Sequence, residues 1–255
     1  MKVLIKIGGT LLDTPDQRWR LANELAQVSR TVEMVIVHGG GKQMTRYLSE
    51  RGVESRFVDG LRVTTPGVVD AMLKVFAGTV NHELVAAFVQ AGVRPVGLTG
   101  IDACIAEAEQ MRPELGAVGR IVRSDGALLG LLASNGYLPV VACVAGDRNG
   151  NIYNVNADQM AVACAAGFGA SKLFFLTDVE GVKGKNGVFP ALTPEDAGQL
   201  ISEGIATGGM QAKLTAACDG LVKGLQEVTI VPGGRGHVVA SLLAGERIGT
   251  KIVRT

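Results

Sequence analysis

Two glycine runs, each placed directly after an apolar stretch, are the first residues of this sequence whose types and spacing could do chemistry. They read "KIGGT" from Lys6 and "VHGGGK" from Val37. Adjacent glycines expose backbone N–H groups, and such groups can bind phosphate oxygens where a helix begins just after them. Neither run fits the G-x-G-x-x-G pattern of dinucleotide sites or the G-x-x-x-x-G-K-S/T pattern of Walker loops. The two runs together therefore predict an anion-binding site of another kind.

Two lysines and one aspartate are the charged side chains expected at such a site. Lys6 lies inside an apolar stretch, and a buried ammonium group is unfavourable unless an anion pairs with it; the alternative is a surface lysine that reaches solvent. Asp158 falls at the predicted start of a helix in "NVNADQMA", where helix capping is the structural alternative for the motif as a whole. Lys213 lies about one turn inside the helix that follows "TGG", a second helix N-terminus suited to an anion. The segment "LTDVEGV", 176–182, is typical of a loop that faces a nucleotide.

Short apolar runs alternate with longer segments of helical periodicity along most of the chain. Near-continuous apolar runs indicate strands that are buried on both faces. The predicted strands are Val3–Ile7, Met34–Val37, Pro95–Leu98, Leu138–Cys143, Leu173–Leu176 and Glu227–Val231. The predicted helices are 16–29, 42–51, 66–91, 125–135, 157–166, 209–224 and 235–243. This alternation predicts an α/β fold, a three-layer αβα sandwich with a mostly parallel central sheet.

Both glycine runs fall at the carboxyl ends of predicted strands, and the ligand of an open parallel sheet binds beyond those ends. Three polar segments interrupt the alternation, at 53–64, 101–124 and 146–157, with turn signals such as Asp59-Gly60. We expect these segments to form hairpins that cover the ligand. Solvated surface hairpins are the alternative.

Composition excludes several classes of protein. The chain has 255 residues, 47% of them hydrophobic, and a net charge of +1 without a basic stripe, which argues against a nucleic-acid partner. The most apolar window, 126–146, is interrupted by Ser134, Asn135, Gly136 and Pro139, so we expect no membrane association. The first residues enter a strand pattern directly, so we expect no signal peptide and a cytoplasmic protein.

The cysteines give no sign of a metal or redox site. Their spacing fits neither, and we expect reduced, mostly buried thiols and no bound metal on the protein. They are Cys104, Cys143, Cys164 and Cys218.

Six motifs together carry a resemblance to a known family. In their order and approximate spacing, "KIGGT", "VHGGGK", "DGLRVT", "NVNADQ", "TDVEGV" and "GGMQAKL" are similar to the motifs of the amino-acid kinase family. The resemblance covers about residues 2–253, and it is greatest to the members that phosphorylate the side-chain carboxylate of N-acetyl-L-glutamate in arginine biosynthesis. It implies the amino-acid kinase fold over 1–255, with an N-terminal lobe of about 1–169 for the amino-acid substrate and a C-terminal lobe of about 170–255 for ATP.

The resemblance also implies roles for particular residues. Transfer of a γ-phosphoryl group to a carboxylate needs positioning and charge neutralisation more than covalent chemistry. Lys6 and Lys213 would stabilise the transferred group from opposite lobes, and Asp158 would hold the two lysines. The implied substrate-binding residues are Gly9, Gly40 and Gly41 through their N–H groups, Arg62 through its guanidinium group and Asn154 through its amide. The implied ATP-binding residues are Thr177, Asp178, Val179, Gly181, Val182, Gly208, Gly209 and Met210. Mg²⁺ would be required and bound chiefly by the phosphates.

Histidines are not expected to take part in the reaction. His38 precedes the glycine run, but an ionised carboxylate nucleophile has no proton to remove, so a structural role is favoured. His82 and His237 are expected at the surface or in packing.

Three other functions of the chain stay open at this point. The first alternative is a kinase for a related carboxylate, such as carrier-protein-linked α-aminoadipate or glutamate. The single arginine in "VDGLRVTTPGVVD" favours a free acetylated amino acid as the acceptor instead. A catalytically inactive ligand sensor is another, against which the presence of both lysines and the aspartate argues. A nicotinamide-dependent enzyme would need the absent G-x-G-x-x-G pattern.

We also expect a homodimer that arginine does not inhibit. The sequence begins at the first strand, without the extra N-terminal helix of arginine-inhibited hexameric relatives. The predicted helix 66–91 is apolar on more than one face and is the expected dimer surface, the alternative being a helix buried within one subunit. Ala103-Cys104 and the glycine-rich "VPGGRGHVV" depart from the family pattern.

Overall fold

A computed structural model describes residues 1–185 and 187–254. Asn186 and Thr255, which belong to the predicted C-terminal lobe, lie outside the described residues. The strands are β1 Lys2–Ile7, β2 Glu33–His38, β3 Phe57–Val58, β4 Leu61–Arg62, β5 Pro95–Thr99, β6 Ala106–Gln110, β7 Gly119–Ser124, β8 Leu138–Ala142, β9 Val144–Gly146, β10 Ile152–Asn154, β11 Lys172–Thr177, β12 Lys183–Gly184, β13 Gly187–Val188, β14 Ala191–Leu192, β15 Glu227–Pro232 and β16 Thr250–Val253. The helices are α1 Pro15–Val28, α2 Gly41–Ser49, α3 Pro66–Met72, α4 Asn81–Gln90, α5 Ala127–Ser134, α6 Ala157–Phe168, α7 Pro194–Ser202, α8 Gly208–Val222 and α9 Val238–Leu243.

The main sheet confirms the predicted α/β architecture. Its strand order is β14-β16-β15-β11-β1-β2-β8-β5, and pairing is parallel from β15 to β5. At the other end of the sheet β16 pairs antiparallel with β15 and parallel with β14. The central strands are buried along nearly their whole length, as their continuous apolar sequences require. Their carboxyl ends therefore lie side by side at one edge of the sheet, where the two glycine runs begin.

All six predicted strands and all seven predicted helices are present close to their predicted bounds. The sequence did not predict α7 or the short strands β12, β13, β14 and β16. The sequence does contain a start signal for α7: Thr193 and Asp196 form a capping box around Pro194, the first residue of the helix. The short edge strands have too few residues for their periodicity to be recognised.

The three polar segments form the expected hairpins over the sheet edge. Segment 53–64 contains the antiparallel pair β3–β4. The other two segments combine in a second sheet with the order β10-β9-β6-β7. A bridge between Thr64 and Gly116 joins the first hairpin to this second sheet. The hairpins thus form one connected layer beside the carboxyl ends of β1, β2 and β8.

The predicted long helix is one continuous helical run with an irregular middle. Leu73–Val80 is π-helical and joins α3 to α4. The run Pro66–Gln90 is long and apolar enough to cross a membrane by length and composition, with a mean hydropathy of 1.2, and 44% of its most apolar window is buried inside the protein. Such a run is equally typical of a core helix. Because a π-helical turn contains an extra residue, it shifts the side chains that follow onto a different face.

Candidate active site

A cavity of about 320 Å³ lies at the carboxyl edge of the main sheet, between the β3–β4 hairpin and the start of α8. It brings together residues that are far apart in the sequence. Its lining includes every residue predicted for catalysis or substrate binding: Lys6, Gly9, Gly40, Gly41, Arg62, Asn154, Asp158 and Lys213. A wider groove of about 880 Å³ adjoins it along α8 and β7. The charged cluster lies in the smaller cavity, so that is the candidate site.

The centre of the cavity is a carboxylate held between two ammonium groups. Lys6 Nζ lies 2.8 Å from Asp158 Oδ1, and Lys213 Nζ lies 3.3 Å from Asp158 Oδ2. Lys6 comes from β1, Asp158 from the first turn of α6 and Lys213 from α8. All three side chains are largely buried. The cluster carries a net charge of +1 and is thus suited to a further anion.

Electrostatics keep this carboxylate ionised. Burial by itself raises the pKa of Asp158, but the charges of Lys6 and Lys213 and their hydrogen bonds outweigh burial, and the net pKa lies below its usual value. A buried charge is stable only with such partners, because desolvation is otherwise too unfavourable. Asp158 is therefore an anion at neutral pH and orients both lysines.

The glycine run after β2 lies against the π-helical segment. A Cβ atom on Gly40 would come within 2.7 Å of the Phe76 ring, which lines the cavity on this side. Such a contact does not occur in real structures, so only glycine fits here while Phe76 keeps its position. The close packing leaves the backbone of this run, rather than side chains, facing the cavity.

Two side chains bind carbonyl oxygens of the glycine runs. His38 is completely buried, and its Nδ1 lies 2.9 Å from the Gly39 carbonyl oxygen. Gln43 Nε2 donates to the Gly9 carbonyl oxygen at 2.9 Å and so links the second glycine run to the first. Burial lowers the pKa of His38 to about 4, although its hydrogen bond to Gly39 acts in the opposite direction. His38 is therefore neutral at pH 7 and structural, as the sequence reading favoured.

Arg62 reaches from the β3–β4 hairpin to the first turn of α2. Its Nη2 donates to Thr45 Oγ1 at 2.7 Å and to the Gly41 carbonyl oxygen at 3.2 Å, and Nη1 donates to Ser55 Oγ. The guanidinium group also lies 4.7 Å from the centre of the Phe57 ring. Burial lowers the pKa of Arg62, but arginine stays charged in proteins. A guanidinium group has five N–H donors, so donors remain for a carboxylate in the cavity.

Two asparagines of the "NVNADQ" motif have different surroundings. Asn154 Nδ2 donates to Thr64 Oγ1 at 3.0 Å, which fixes its amide at the cavity wall. Asn156 is the N-cap of α6, and its Oδ1 accepts from the N–H groups of Asp158 and Gln159. Helix capping was the structural alternative for this motif as a whole, and Asn156 takes that role, which leaves Asp158 for the lysines. The Asn-x-Asp spacing at the start of a helix could have indicated this.

The residues predicted to bind ATP divide into two groups. Gly208 and Gly209 begin α8 and line the cavity beside Lys213. Gly208 has φ +52°, a conformation that favours glycine. The other residues lie outside the cavity lining: Thr177, Asp178, Val179, Gly181, Val182 and Met210. They belong to the end of β11, to the loop that follows it and to the first turn of α8.

The 177–182 loop is anchored to the last strand, β16. Val182 N–H donates to Thr250 Oγ1 at 2.8 Å, and Thr177 Oγ1 donates to Asp178 Oδ1 at 3.1 Å. A Cβ atom on Gly181 would come within 2.6 Å of Val188 and 2.8 Å of Thr250. The loop is thus held by β16 and the β12–β13 hairpin.

The cysteines differ in their environments. Cys143 and Cys164 are fully buried, and burial raises the pKa of each thiol to about 12. Cys218 is half-buried and Cys104 is exposed. Cys143 lines the cavity, but a thiol with so high a pKa is not a nucleophile at neutral pH.

Known proteins resemble this chain over most of its length. The family model described as "Amino acid kinase family" matches residues 1–243. The chain belongs to the amino acid kinase family. Acetylglutamate kinase of Solibacter usitatus is 62% identical over 255 residues, which are 99% of this chain and 99% of that protein. Acetylglutamate kinase of Chloroflexus aurantiacus is 41% identical over 232 residues, 89% of this chain and 91% of that protein.

Solved structures show the same amino acid kinase fold. N-acetylglutamate synthase from Neisseria gonorrhoeae, complexed with coenzyme A and N-acetyl-glutamate, has a TM-score of 0.86 and 24% identity; the alignment covers 100% of this chain and 59% of that one. UMP kinase from Bacillus anthracis has a TM-score of 0.65 and 20% identity, with 99% and 95% covered. At these identities the likeness concerns the fold alone.

Proposed function

We propose that this chain is an ATP:N-acetyl-L-glutamate 5-phosphotransferase, which makes N-acetyl-L-glutamyl 5-phosphate for arginine biosynthesis. The observation that carries the proposal is the Lys6–Asp158–Lys213 cluster, which joins Arg62 and two glycine runs in one cavity. The near full-length identity to acetylglutamate kinases supports the choice of acceptor.

The charges of the cavity account for the transfer step. A carboxylate oxygen of the acceptor forms a bond to the γ-phosphorus while the bond from phosphorus to the ADP oxygen breaks, and no proton has to move. Negative charge develops on oxygens around the phosphorus, and Lys6 and Lys213 stabilise it from two sides. Asp158 holds both ammonium groups in place at the cavity. Removal of one such donor commonly lowers the rate by about 10²–10³-fold.

The acceptor is held by its other polar groups. Arg62 forms a bidentate pair with the α-carboxylate, and Asn154 hydrogen-bonds to the same molecule. The N–H groups of Gly9, Gly40 and Gly41 bind the attacking carboxylate and the γ-phosphoryl oxygens. The fixed position of Arg62 between Thr45 and Ser55 supports this arrangement, because a pre-oriented fork loses little entropy on binding.

ATP binds in the C-terminal part of the chain, with its phosphates at the start of α8 and the 177–182 loop beside it. The N–H groups in the first turn of a helix attract phosphate, and Gly208 and Gly209 allow close approach. The part of the chain that the structure describes has no cluster of three metal-ligating side chains, and both oxygens of Asp158 face lysines. Mg²⁺ would neutralise phosphate charge and would be held chiefly by the nucleotide.

Two further expectations stay part of the proposal. The lobes divide near residue 169, since α6 ends at Phe168 and β11 begins at Lys172, and Lys6 and Lys213 then come from different lobes.

The enzyme is a cytoplasmic homodimer that pairs through the helical run Pro66–Gln90, which exposes Val89 at 59%. Light scattering at micromolar concentration tests the dimer; a monomeric mass would contradict it.

A coupled assay of ADP release over several acceptors tests the activity. We expect turnover with N-acetyl-L-glutamate and little with glutamate, aspartate or α-aminoadipate, and hydroxylamine should trap the acyl phosphate. A carrier-linked acceptor serves as a further arm. Absence of ADP release with N-acetyl-L-glutamate would contradict the proposal.

A further inference from the structure

We propose that His38 is a positioning residue of the phosphoryl-transfer site, whose Nδ1–H holds the Gly39 carbonyl oxygen and thereby aims the Gly40 N–H into the cavity. The inference rests on the proposed function, because the direction of this N–H matters only if it binds the reacting oxygens. His38 itself lines no part of the cavity and would act through the backbone.

The hydrogen bonds around His38 fix which ring nitrogen carries the proton. Asn81 Nδ2 donates to the Val140 carbonyl oxygen at 3.0 Å, and a carbonyl oxygen can only accept, so this atom is the amide nitrogen. The same Nδ2 lies 2.9 Å from His38 Nε2, which must therefore be the acceptor. The proton of the neutral ring is left on Nδ1, where it donates to the Gly39 carbonyl oxygen at 2.9 Å. Asn81 thus selects the tautomer.

The bond to Gly39 controls the next N–H group through the planarity of the peptide. The carbonyl of Gly39 and the N–H of Gly40 belong to one trans peptide unit and point in opposite directions. With the carbonyl oxygen held by a buried ring on one side, the N–H is directed to the other side. Gly40 lines the cavity there.

The π-helical segment positions both Asn81, which contacts His38, and Phe76, which contacts Gly40. Asn81 is the first residue after Leu73–Val80, and Phe76 within it packs on Gly40. Since a π-helical turn shifts the helix face, Phe76 and Asn81 can both reach the glycine run from one helical run. Gln43 acts in a similar way on the first run, where it holds the Gly9 carbonyl oxygen. Side-chain donors thus restrain the carbonyl groups of both glycine runs.

Two substitutions of His38 separate its two hydrogen bonds. Asparagine reaches about as far as Nδ1 and can donate to the Gly39 carbonyl oxygen, whereas glutamine reaches about as far as Nε2 and can accept from Asn81. His38→Asn therefore keeps the positioning bond, and His38→Gln loses it. His82→Gln is the control, because His82 is an exposed histidine whose Nδ1 lies 3.0 Å from the carbonyl oxygen of Gly78, away from the cavity.

Steady-state kinetics of the full chain with ATP and N-acetyl-L-glutamate measure kcat and KM for each variant. We expect His38→Gln to lower kcat by roughly 10- to 100-fold, less than the loss of a whole donor, with KM for both substrates within about threefold. His38→Asn should restore kcat to within about threefold of the wild type, and His82→Gln should match the wild type. Urea unfolding of each variant ensures that the folded protein is compared. Equal losses in both His38 variants, or no loss in either, would overturn the inference.

The tautomer has a readout that does not depend on activity. In ¹⁵N-histidine-labelled protein, two-bond ¹H–¹⁵N correlations distinguish Nδ1–H from Nε2–H. We expect His38 to be a fixed Nδ1–H tautomer, identified by the signals that disappear in His38→Asn. An Nε2–H form would overturn the inference. An inactive wild type with the Nδ1–H form would instead refute the proposed function and leave the geometry of His38 standing.

Discussion

Replacement of Asp158 by asparagine should destabilise the protein far more than the same change at a comparable surface site. Asp158 is 5% exposed and lies between Lys6, 8% exposed, and Lys213, 18% exposed. Without the carboxylate, two ammonium groups face each other in a buried site. Loss of one partner of a buried ion pair costs about 3–5 kcal/mol. Lys213 can turn towards solvent, so we expect the lower end, about 3 kcal/mol.

Asp13 offers a matched control. It also lies between two cations, with Lys42 Nζ at 2.6 Å and Arg46 Nη1 at 3.2 Å, but both cations are more than half exposed. Solvent screening reduces such pairs to about 0–1 kcal/mol, so Asp13→Asn should lose no more than that. Urea unfolding at pH 7 without ligand measures both free energies of unfolding. Equal losses for the two variants, or a fully stable Asp158→Asn, would refute the account of the charge cluster.

Three other predictions concern single residues. The free energy of unfolding should fall as pH decreases from 6.5 to 4, because the unfolded chain binds a proton on His38 in this range and the folded chain, in which the pKa of His38 is about 4, does not. The contribution of His38 to this fall is about 3 kcal/mol. Urea unfolding over this pH range should therefore show a shallower pH dependence in His38→Asn than in the wild type. Arg62→Lys should raise KM for the acceptor by roughly 10-fold or more through loss of the bidentate pair, and an unchanged KM would contradict the role of Arg62. Gly40→Ala should lower kcat by at least about 10-fold because its Cβ would collide with Phe76, and a kcat equal to that of the wild type would show that the glycine run tolerates displacement.

Local patterns were enough to predict the fold and the edge of the sheet at which the site lies. The apolar runs around Lys6 and before His38 indicate buried parallel strands, and the ends of such strands must be adjacent. The glycine runs after them could therefore be assigned to one place. That inference needs only residues close together in the sequence.

Contacts between distant segments could not be derived in this way. Lys213 and Asp158 are 55 positions apart, and only the resemblance to the family suggested that they meet. The support behind the glycine runs was missed altogether. Nothing in the sequence marks Gln43 as a partner of Gly9, and the π-helical segment that brings Asn81 to His38 has no periodic signal that differs from that of an ordinary helix. Such contacts depend on packing geometry.

The role proposed for the two lysines is to stabilise the transferred phosphoryl group. Its most direct test is kcat for ADP release with N-acetyl-L-glutamate in wild type and Lys213→Ala, at saturating ATP and Mg²⁺. We expect kcat to fall by about 10²–10³-fold, while KM for the acceptor changes by no more than about threefold. An unchanged kcat with a raised KM would mean that Lys213 only binds the ground state, and it would contradict the account.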